Sequence, residues 1–281
     1  MMTSMARSSP TALIASPSNP RIKAAAGLRD ARDRAERGLS LVDGARELRR
    51  ALDAGIEVVE AFVHEPLLAG ADARAVLDAL AARGIPLQPT TEAAIGKLAF
   101  GSRAEGIVAV IRVPPLGLER LVVPSDPLIV VVDSVEKPGN LGAILRSADG
   151  AGADAVVAAA PRTDLLNPNV IRASAGTVFA VPLAAASTEE VVAWLRATAV
   201  RILTTRVDRG RTYTDVDLTG AVALVLGSEA DGLGPAWAGD DIEAVHLPMH
   251  GMADSLNVSV TAAVLLYEAR RQRDRRPGGP D

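Results

Sequence analysis

Three short segments in the second half of the chain carry residue types that can build a site out of backbone loops. They are Pro138-Gly139-Asn140-Leu141-Gly142-Ala143-Ile144-Leu145-Arg146, Gly227-Ser228-Glu229, and Ser255-Leu256-Asn257-Val258-Ser259. Each lies downstream of a hydrophobic run that reads as a strand, and each sets glycine or another small residue beside a few polar groups. Glycine lets a backbone approach a ligand closely. A helix beginning after such a turn offers free N–H groups to an anionic ligand. Asn140, Glu229, Ser255 and Asn257 can make directed hydrogen bonds, and Arg146 carries a planar fork that can hold two oxygens. A protonated arginine has no acceptor, so Arg146 suits donating to an oxygen better than removing a proton.

Each segment also has a plainer reading. Asn140 fits an N-cap for a helix starting near Leu141, and Gly227-Ser228-Glu229 fits an ordinary turn with a capping Ser or Glu. Ser255 fits the N-cap of a last helix spanning about Leu256 to Arg273. Asn257 would then lie in the first turn, where its side chain competes with the backbone, and that mild cost points to a tertiary or functional use. The same helix aligns Leu256, Val260, Ala263, Val264 and Tyr267 on one face. A fourth segment, Asn169 to Gly176, holds Arg172, which fits either a phosphate grip or a helix-surface residue.

The elements that must position these residues follow from periodicity. Leu128-Ile129-Val130-Val131-Val132 is a continuous apolar run, expected of a strand buried on both faces. Further strands are expected at Ala155–Val157, Ile202–Thr205, Ala223–Leu226 and Ala244–Leu247, with helices between them. One helix, Thr188–Ala197, is introduced by a capping box of Ser187 and Glu190. This alternation predicts a doubly wound parallel sheet whose ligands sit at the carboxyl ends of its strands. The first half predicts a smaller α/β layer: a polar helix over 19–37, strands at Leu39–Val42, Val58–Val63 and Gly106–Val113 with a short extended stretch at Pro86–Gln88, and helices at Ala45–Asp53, Ala73–Ala82 and Thr91–Leu98. A Pro-rich stretch over 114–126 is the natural linker. The division is therefore residues 1–113, with the first fifteen or so disordered, a 114–126 linker, a 127–273 domain and a flexible 274–281 tail.

Composition narrows the function. Of 281 residues 48% are hydrophobic but only 2% aromatic, so the core is aliphatic and base-stacking platforms are scarce. There is no cysteine, and His64, His246 and His250 have no metal-binding spacing, so no metal is expected. The apolar run Ala12-Leu13-Ile14-Ala15 is too short for a secretory or membrane segment, which reads as cytoplasmic. The formal net charge is −4. Its distribution is uneven: residues 1–40 hold seven basic side chains (Arg7, Arg21, Lys23, Arg29, Arg32, Arg34, Arg37) against three acidic ones. Arg270, Arg271, Arg273, Arg275 and Arg276 form a second basic cluster. Such clusters fit phosphate contact or plain solvated surface.

In order, spacing and identity the three segments resemble the motifs of the SpoU (TrmH-type) branch of the knotted SPOUT methyltransferases. Asn169 to Gly176 resembles that family's Arg-Ala-Ser-x-Gly stretch. Ser16-Pro17-Ser18-Asn19-Pro20-Arg21-Ile22-Lys23, Leu41 to Leu48 and Gly106 to Val110 resemble an L30e-like substrate-binding domain found in front of ribosomal 2′-O-methyltransferases. The resemblance implies a deep trefoil knot at about Leu224 to Leu266, a homodimer, and methyl transfer from S-adenosylmethionine to a ribose 2′-hydroxyl of RNA, rRNA in preference to tRNA. It implies that backbone groups around Leu226, Gly227, Leu247, Met249 and Leu256, with Thr204 and Thr205 nearby, hold the cofactor. Asn140, Arg146, Glu229, Ser255 and Asn257 would surround the transferred methyl and the ribose, while Arg172, Arg21, Lys23 and Arg46 would contact RNA. Ala230-Asp231-Gly232 and Ala253-Asp254 depart slightly from the family pattern, and neither removes a reactive side chain.

Two other readings fit the sequence less well. A knotted but non-catalytic RNA-binding or assembly factor would not need Asn140, Arg146, Glu229 and Asn257 together. A nicotinamide-binding Rossmann enzyme would need a third glycine that Gly139-Asn140-Leu141-Gly142 does not supply.

Overall fold

A strand apolar at every position must be covered on both faces, and Leu128 to Val132 are all buried in the computed structural model, which describes residues 12–100, 105–228 and 231–275. The chain divides into two compact units, one ending at Val113 and one beginning at Pro114.

The first unit runs α1 (Pro20–Gly27), α2 (Ala31–Arg37), β1 (Leu39–Asp43), α3 (Ala45–Asp53), β2 (Val58–Val63), α4 (Gly70–Ala82), β3 (Leu87–Pro89), α5 (Glu92–Leu98) and β4 (Ile107–Arg112). Its sheet has the order β1-β4-β2-β3, antiparallel except for the β2/β3 pair. The expected single helix over 19–37 is two helices. Leu28 ends the first, and the Asp30 side chain caps the second by accepting from the backbone N–H of Arg32. Residues 12–15 are ordered: Ile14 is buried and bridges Thr90, while residues 1–11 lie outside the described part.

The second unit runs β5 (Leu128–Asp133), α6 (Pro138–Ala151), β6 (Ala155–Ala159), α7 (Pro168–Ala173), β7 (Leu183–Ala186), α8 (Thr188–Ala197), β8 (Arg201–Thr205), β9 (Arg211–Thr212), β10 (Val222–Leu226), β11 (Ile242–His246) and α9 (Val258–Asp274). The sheet order is β7-β6-β5-β10-β8-β11-β9, and every pairing in it is parallel. From β5 the chain steps outward through β6 to β7. It then returns two positions beyond β5 to form β8, and β10 later fills the gap. This reversal makes the carboxyl ends of β5, β10 and β8 the place where an open α/β sheet leaves a crevice.

Alternation along each strand divides the core. Ile129, Val131, Ala223 and Val225 pack with Val191, Val192 and Leu195 of α8 and with Trp237, whereas α6 packs on both α7 and α9. The 114–126 stretch is not a free linker. Leu118, Leu121 and Val123 lie on the α8-side core, and the Leu116 carbonyl accepts from Ala185 N–H of β7 at 2.7 Å. No described helix is long and apolar enough to cross a membrane.

Candidate methyl-transfer site at the carboxyl ends of the sheet

The first segment leaves β5 through Ser134, held at φ 54°, and enters α6 at Pro138. Proline tolerates the first helical turn because its missing N–H has no partner there. Lys137 is therefore the N-cap, and Asn140 lies inside the first turn rather than capping it. Gly142 serves packing: a Cβ there would stand 2.4 Å from the Ala173 Cβ, so only glycine lets α6 approach α7 this closely. Arg146 is exposed on α6 and has no hydrogen bond or ion pair among the described residues.

The third segment corrects one expectation. Ser255 is an exposed loop residue, and the N-cap of α9 is Asn257, whose Oδ1 accepts from the Ser259 N–H at 2.9 Å and from the Ser259 hydroxyl at 2.6 Å. The side chain thus satisfies the helix start instead of competing with it. Its amide also donates from Nδ2 to Asn140 Oδ1 at 3.2 Å. The first and third segments meet through these two side chains.

In the second segment β10 ends at Leu226, whose side chain is buried, so only its backbone can face a ligand. Gly227 abuts the returning chain: a Cβ there would lie 2.4 Å from the Gly232 carbonyl carbon. The turn is closed by the Ser228 hydroxyl, which accepts from Asp231 N–H at 3.0 Å, and by Gly232 at φ 64°. Glu229 lies outside the described residues. Leu247 and Met249 are half-buried in the loop after β11, and Leu256 is 38% exposed just before α9. At the end of β8, Thr204 is buried and its hydroxyl donates to the Glu243 carbonyl at 3.2 Å, while Thr205 donates to the Val225 carbonyl at 3.0 Å. Both hydroxyl protons serve the sheet. What these strand ends offer a ligand is chiefly backbone and aliphatic surface.

Three connections escape a reading by local pattern. Asp133, 6% exposed at the end of β5, accepts from Trp237 Nε1 at 2.5 Å and from the Thr188 hydroxyl at 2.9 Å. Arg206, just past β8, donates to the carbonyls of Leu233 and Trp237 at 2.8 and 3.2 Å. Burial, and secondarily the charge of Arg209, pushes the Arg206 guanidinium below its usual range. Arg162 donates to Glu136 and lies 3.6 Å from Asp231, tying the first and second loops at the surface.

The basic clusters are largely occupied. Arg270 donates to the Ala151 and Gly152 carbonyls at the end of α6, Arg271 pairs with Glu268, and Arg273 holds the Asp126, Pro127 and Gly220 carbonyls. Arg276 lies outside the described residues. In the first unit Arg21 binds Glu60 and Gln88, Arg34 is buried against the Leu28 and Arg29 carbonyls, and Arg46 pairs with Glu47 at 2.7 Å. Lys23 is exposed and without a partner among the described residues; Arg172 is half-buried near the end of α7. Charge counting could not separate these roles, because a capping arginine and a phosphate-binding one look alike in sequence.

The face of α9 also departs from expectation. Val258, Ala262, Leu265, Leu266 and Ala269 form the buried side, whereas Val260 and Tyr267 are 46% and 55% exposed. Of the stripe aligned by spacing, Leu256, Val260 and Tyr267 are exposed and Ala263 and Val264 half-buried.

Comparison with known proteins decides the family. A family model described as the SpoU rRNA methylase family matches residues 127–267. The chain belongs to the SpoU rRNA methylase family. Residues 19–109 match an MRM3-like substrate-binding domain. Among curated relatives, the Bacillus subtilis 23S rRNA (guanosine(2553)-2′-O)-methyltransferase RlmP is 28% identical over 92% of this chain and 98% of its own length. A Burkholderia 23S rRNA (guanosine-2′-O-)-methyltransferase RlmB is 32% identical over 85% of this chain and 98% of its own. A Streptomyces viridochromogenes 23S rRNA (uridine(2479)-2′-O)-methyltransferase is 36% identical, but this chain spans only 60% of it in that match. Among solved structures, an RNA 2′-O ribose methyltransferase is 42% identical with a TM-score of 0.82, covering 93% of this chain and 99% of that one. An AdoMet-bound rRNA methyltransferase from Sinorhizobium meliloti is 29% identical with a TM-score of 0.84, covering 93% and 98%.

Proposed function

We propose that this protein transfers a methyl group from S-adenosylmethionine to a ribose 2′-hydroxyl of 23S-type ribosomal RNA. The observation that carries the reading is the Asn257–Asn140 hydrogen bond, which joins the first and third segments at the carboxyl ends of a parallel sheet. The named activities of the relatives above support rRNA over tRNA, and the AdoMet-bound neighbour supports the cofactor.

S-adenosylmethionine would supply an electrophilic methyl on its sulfonium. The backbone at Leu226 and Gly227 and the chain at Leu247, Met249 and Leu256 would hold it, with Thr205 at the edge. Thr204 would act only by shaping the strand. Transfer would join the methyl carbon to the ribose 2′-oxygen as its bond to sulfur breaks, releasing S-adenosylhomocysteine and passing the hydroxyl proton to solvent. Such a displacement needs alignment first. Asn140, Asn257, Ser255 and Glu229 would fix the ribose. Arg146, exposed and with no side-chain partner among the described residues, would orient the 2′-hydroxyl or its phosphate and stabilise the developing alkoxide.

The first unit, matching a substrate-binding domain, would grip the RNA, with Lys23 open to phosphate and Arg21 and Arg46 exchanging their carboxylate partners for it, while Arg172 on α7 of the second unit would add a phosphate contact. The uncovered Leu256, Val260 and Tyr267 stripe supports a homodimer formed along α9. The knot over about 224–266 remains part of the family reading, and the protein would act in the cytoplasm without a metal. Mapping ribose methylation in rRNA and tRNA from cells with and without the gene tests the reading. Loss of one 23S rRNA mark is expected; loss confined to tRNA would overturn the substrate assignment.

A further inference from the structure

The turn after β10 is held from beneath by residues that none of the three segments contains. Trp237 is 1% exposed, and a buried indole N–H needs a partner. Asp133, buried at the end of β5, needs donors in turn, since an unpaired buried carboxylate is costly. The two satisfy each other at 2.5 Å, and the Thr188 hydroxyl gives Asp133 a second donor at 2.9 Å. On the other side Arg206 spreads its guanidinium over two carbonyls, Leu233 at 2.8 Å and Trp237 at 3.2 Å. Leu233 in turn lies against Gly227, where a Cβ would meet its backbone nitrogen at 2.8 Å. The ends of β5 and β8 are thus connected through Trp237 and Arg206 to the one glycine whose backbone is expected to face the cofactor.

We propose that Asp133, Trp237 and Arg206 form a brace of positioning residues that presses the returning chain against Gly227 and so sets the second segment in its cofactor-binding geometry. The proposal rests on the methyltransferase reading and adds to it residues that touch neither cofactor nor RNA. Arg206 acts at a distance: its fork holds Leu233, and Leu233 holds Gly227. A lysine cannot span both carbonyls, because its ammonium is a point donor. The brace bears on the cofactor and not on the ribose, so its loss should weaken cofactor binding while sparing the transfer step once the site is filled, the pattern of lost uniform binding.

The test compares wild type with Arg206→Ala, Arg206→Lys, Trp237→Phe and Asp133→Asn. Calorimetry with S-adenosylmethionine and with S-adenosylhomocysteine gives affinity. Single-turnover transfer at saturating cofactor gives the chemical step, and thermal melting reports folding. Arg206→Ala should bind cofactor at least about tenfold more weakly, with single-turnover transfer within about threefold of wild type. Arg206→Lys should recover only part of the affinity. Asp133→Asn, which keeps an acceptor for both donors, should bind within about threefold of wild type, whereas Trp237→Phe should weaken binding about as Arg206→Ala does. Trp237→Phe keeps an aromatic ring in the core while removing the indole N–H, so it keeps the test open if Arg206→Ala does not fold. Wild-type affinity in a folded Arg206→Ala or Trp237→Phe protein overturns the brace. A wild-type protein that binds neither ligand overturns the methyltransferase reading instead.

Discussion

Asn257 donates from its side-chain nitrogen to Asn140 Oδ1 over 3.2 Å, joining two residues 117 positions apart. The same Asn257 caps α9 through its oxygen. One amide therefore sets where the last helix starts and where the first turn of α6 sits. Replacing Asn257 by Ser separates the two tasks: serine keeps a good N-cap but is too short for Asn140. Asn257→Ser should lie within about 0.5 kcal/mol of wild type by urea denaturation, whereas Asn257→Ala should lose about 1 kcal/mol. Both should lower methyl transfer at least about tenfold, since a small misplacement of reacting groups is costly.

Gly142 should be intolerant for a packing reason alone. Its Cβ would meet Ala173 Cβ at 2.4 Å and Ser174 N at 2.8 Å. Gly142→Ala should destabilise the protein by about 1–3 kcal/mol, the usual cost of overpacking, although alanine is the better helix former. Equilibrium denaturation checks this, and an unchanged midpoint would contradict the close approach of α6 to α7.

The acid limb of stability should depend on Glu268. Hydrogen bonds from Arg271, then from Gln272, hold its carboxyl below the ordinary glutamate range against the opposing effect of burial. A depressed folded-state pKa means that its contribution is present above the ordinary value of 4.5 and is lost as pH falls through the lower folded-state value. Glu268→Gln should therefore be less stable than wild type at neutral pH, and the gap should close as pH falls. Urea midpoints across that range measure it.

Truncation should respect the packed 114–126 stretch. A fragment starting at Pro114 keeps Leu118, Leu121 and Val123 on the α8-side core and should fold and bind cofactor while losing most rRNA affinity. A fragment starting at Pro124 uncovers that core and should melt at lower temperature. Equal rRNA binding by the Pro114 fragment and the full chain would remove the first unit from substrate recognition.

Much of this was legible because local chemistry decided it. The β-branched run of β5, the capping box of α8 and the glycine-bearing turns each announce themselves within a few residues. β7, Leu183–Ala186, escaped because Leu-Ala-Ala-Ala carries no strand signal, and β9 is only two residues long. Ser255, the commoner-looking cap, sets Asn257 two residues too deep. The Leu256, Val260 and Tyr267 stripe reads as core by spacing alone, since a periodic apolar face does not say whether its cover comes from the same chain. Arg206 and Asp133 were invisible for another reason: their partners, Leu233 and Trp237, are distant in sequence and offer backbone carbonyls or a single N–H.

The most direct measurement is transfer of labelled methyl from S-adenosylmethionine to a 23S rRNA fragment by purified protein, with digestion to nucleosides to locate the label. The account predicts metal-independent labelling on a ribose 2′-oxygen. It also predicts a loss of at least about a hundredfold in Arg146→Ala, the scale of losing a positioned electrostatic group, with stability within about 0.5 kcal/mol of wild type as expected of an exposed residue. Arg146→Lys should recover little. Label on a base, no transfer by a protein that binds cofactor and RNA, or near-normal transfer by Arg146→Ala would contradict it.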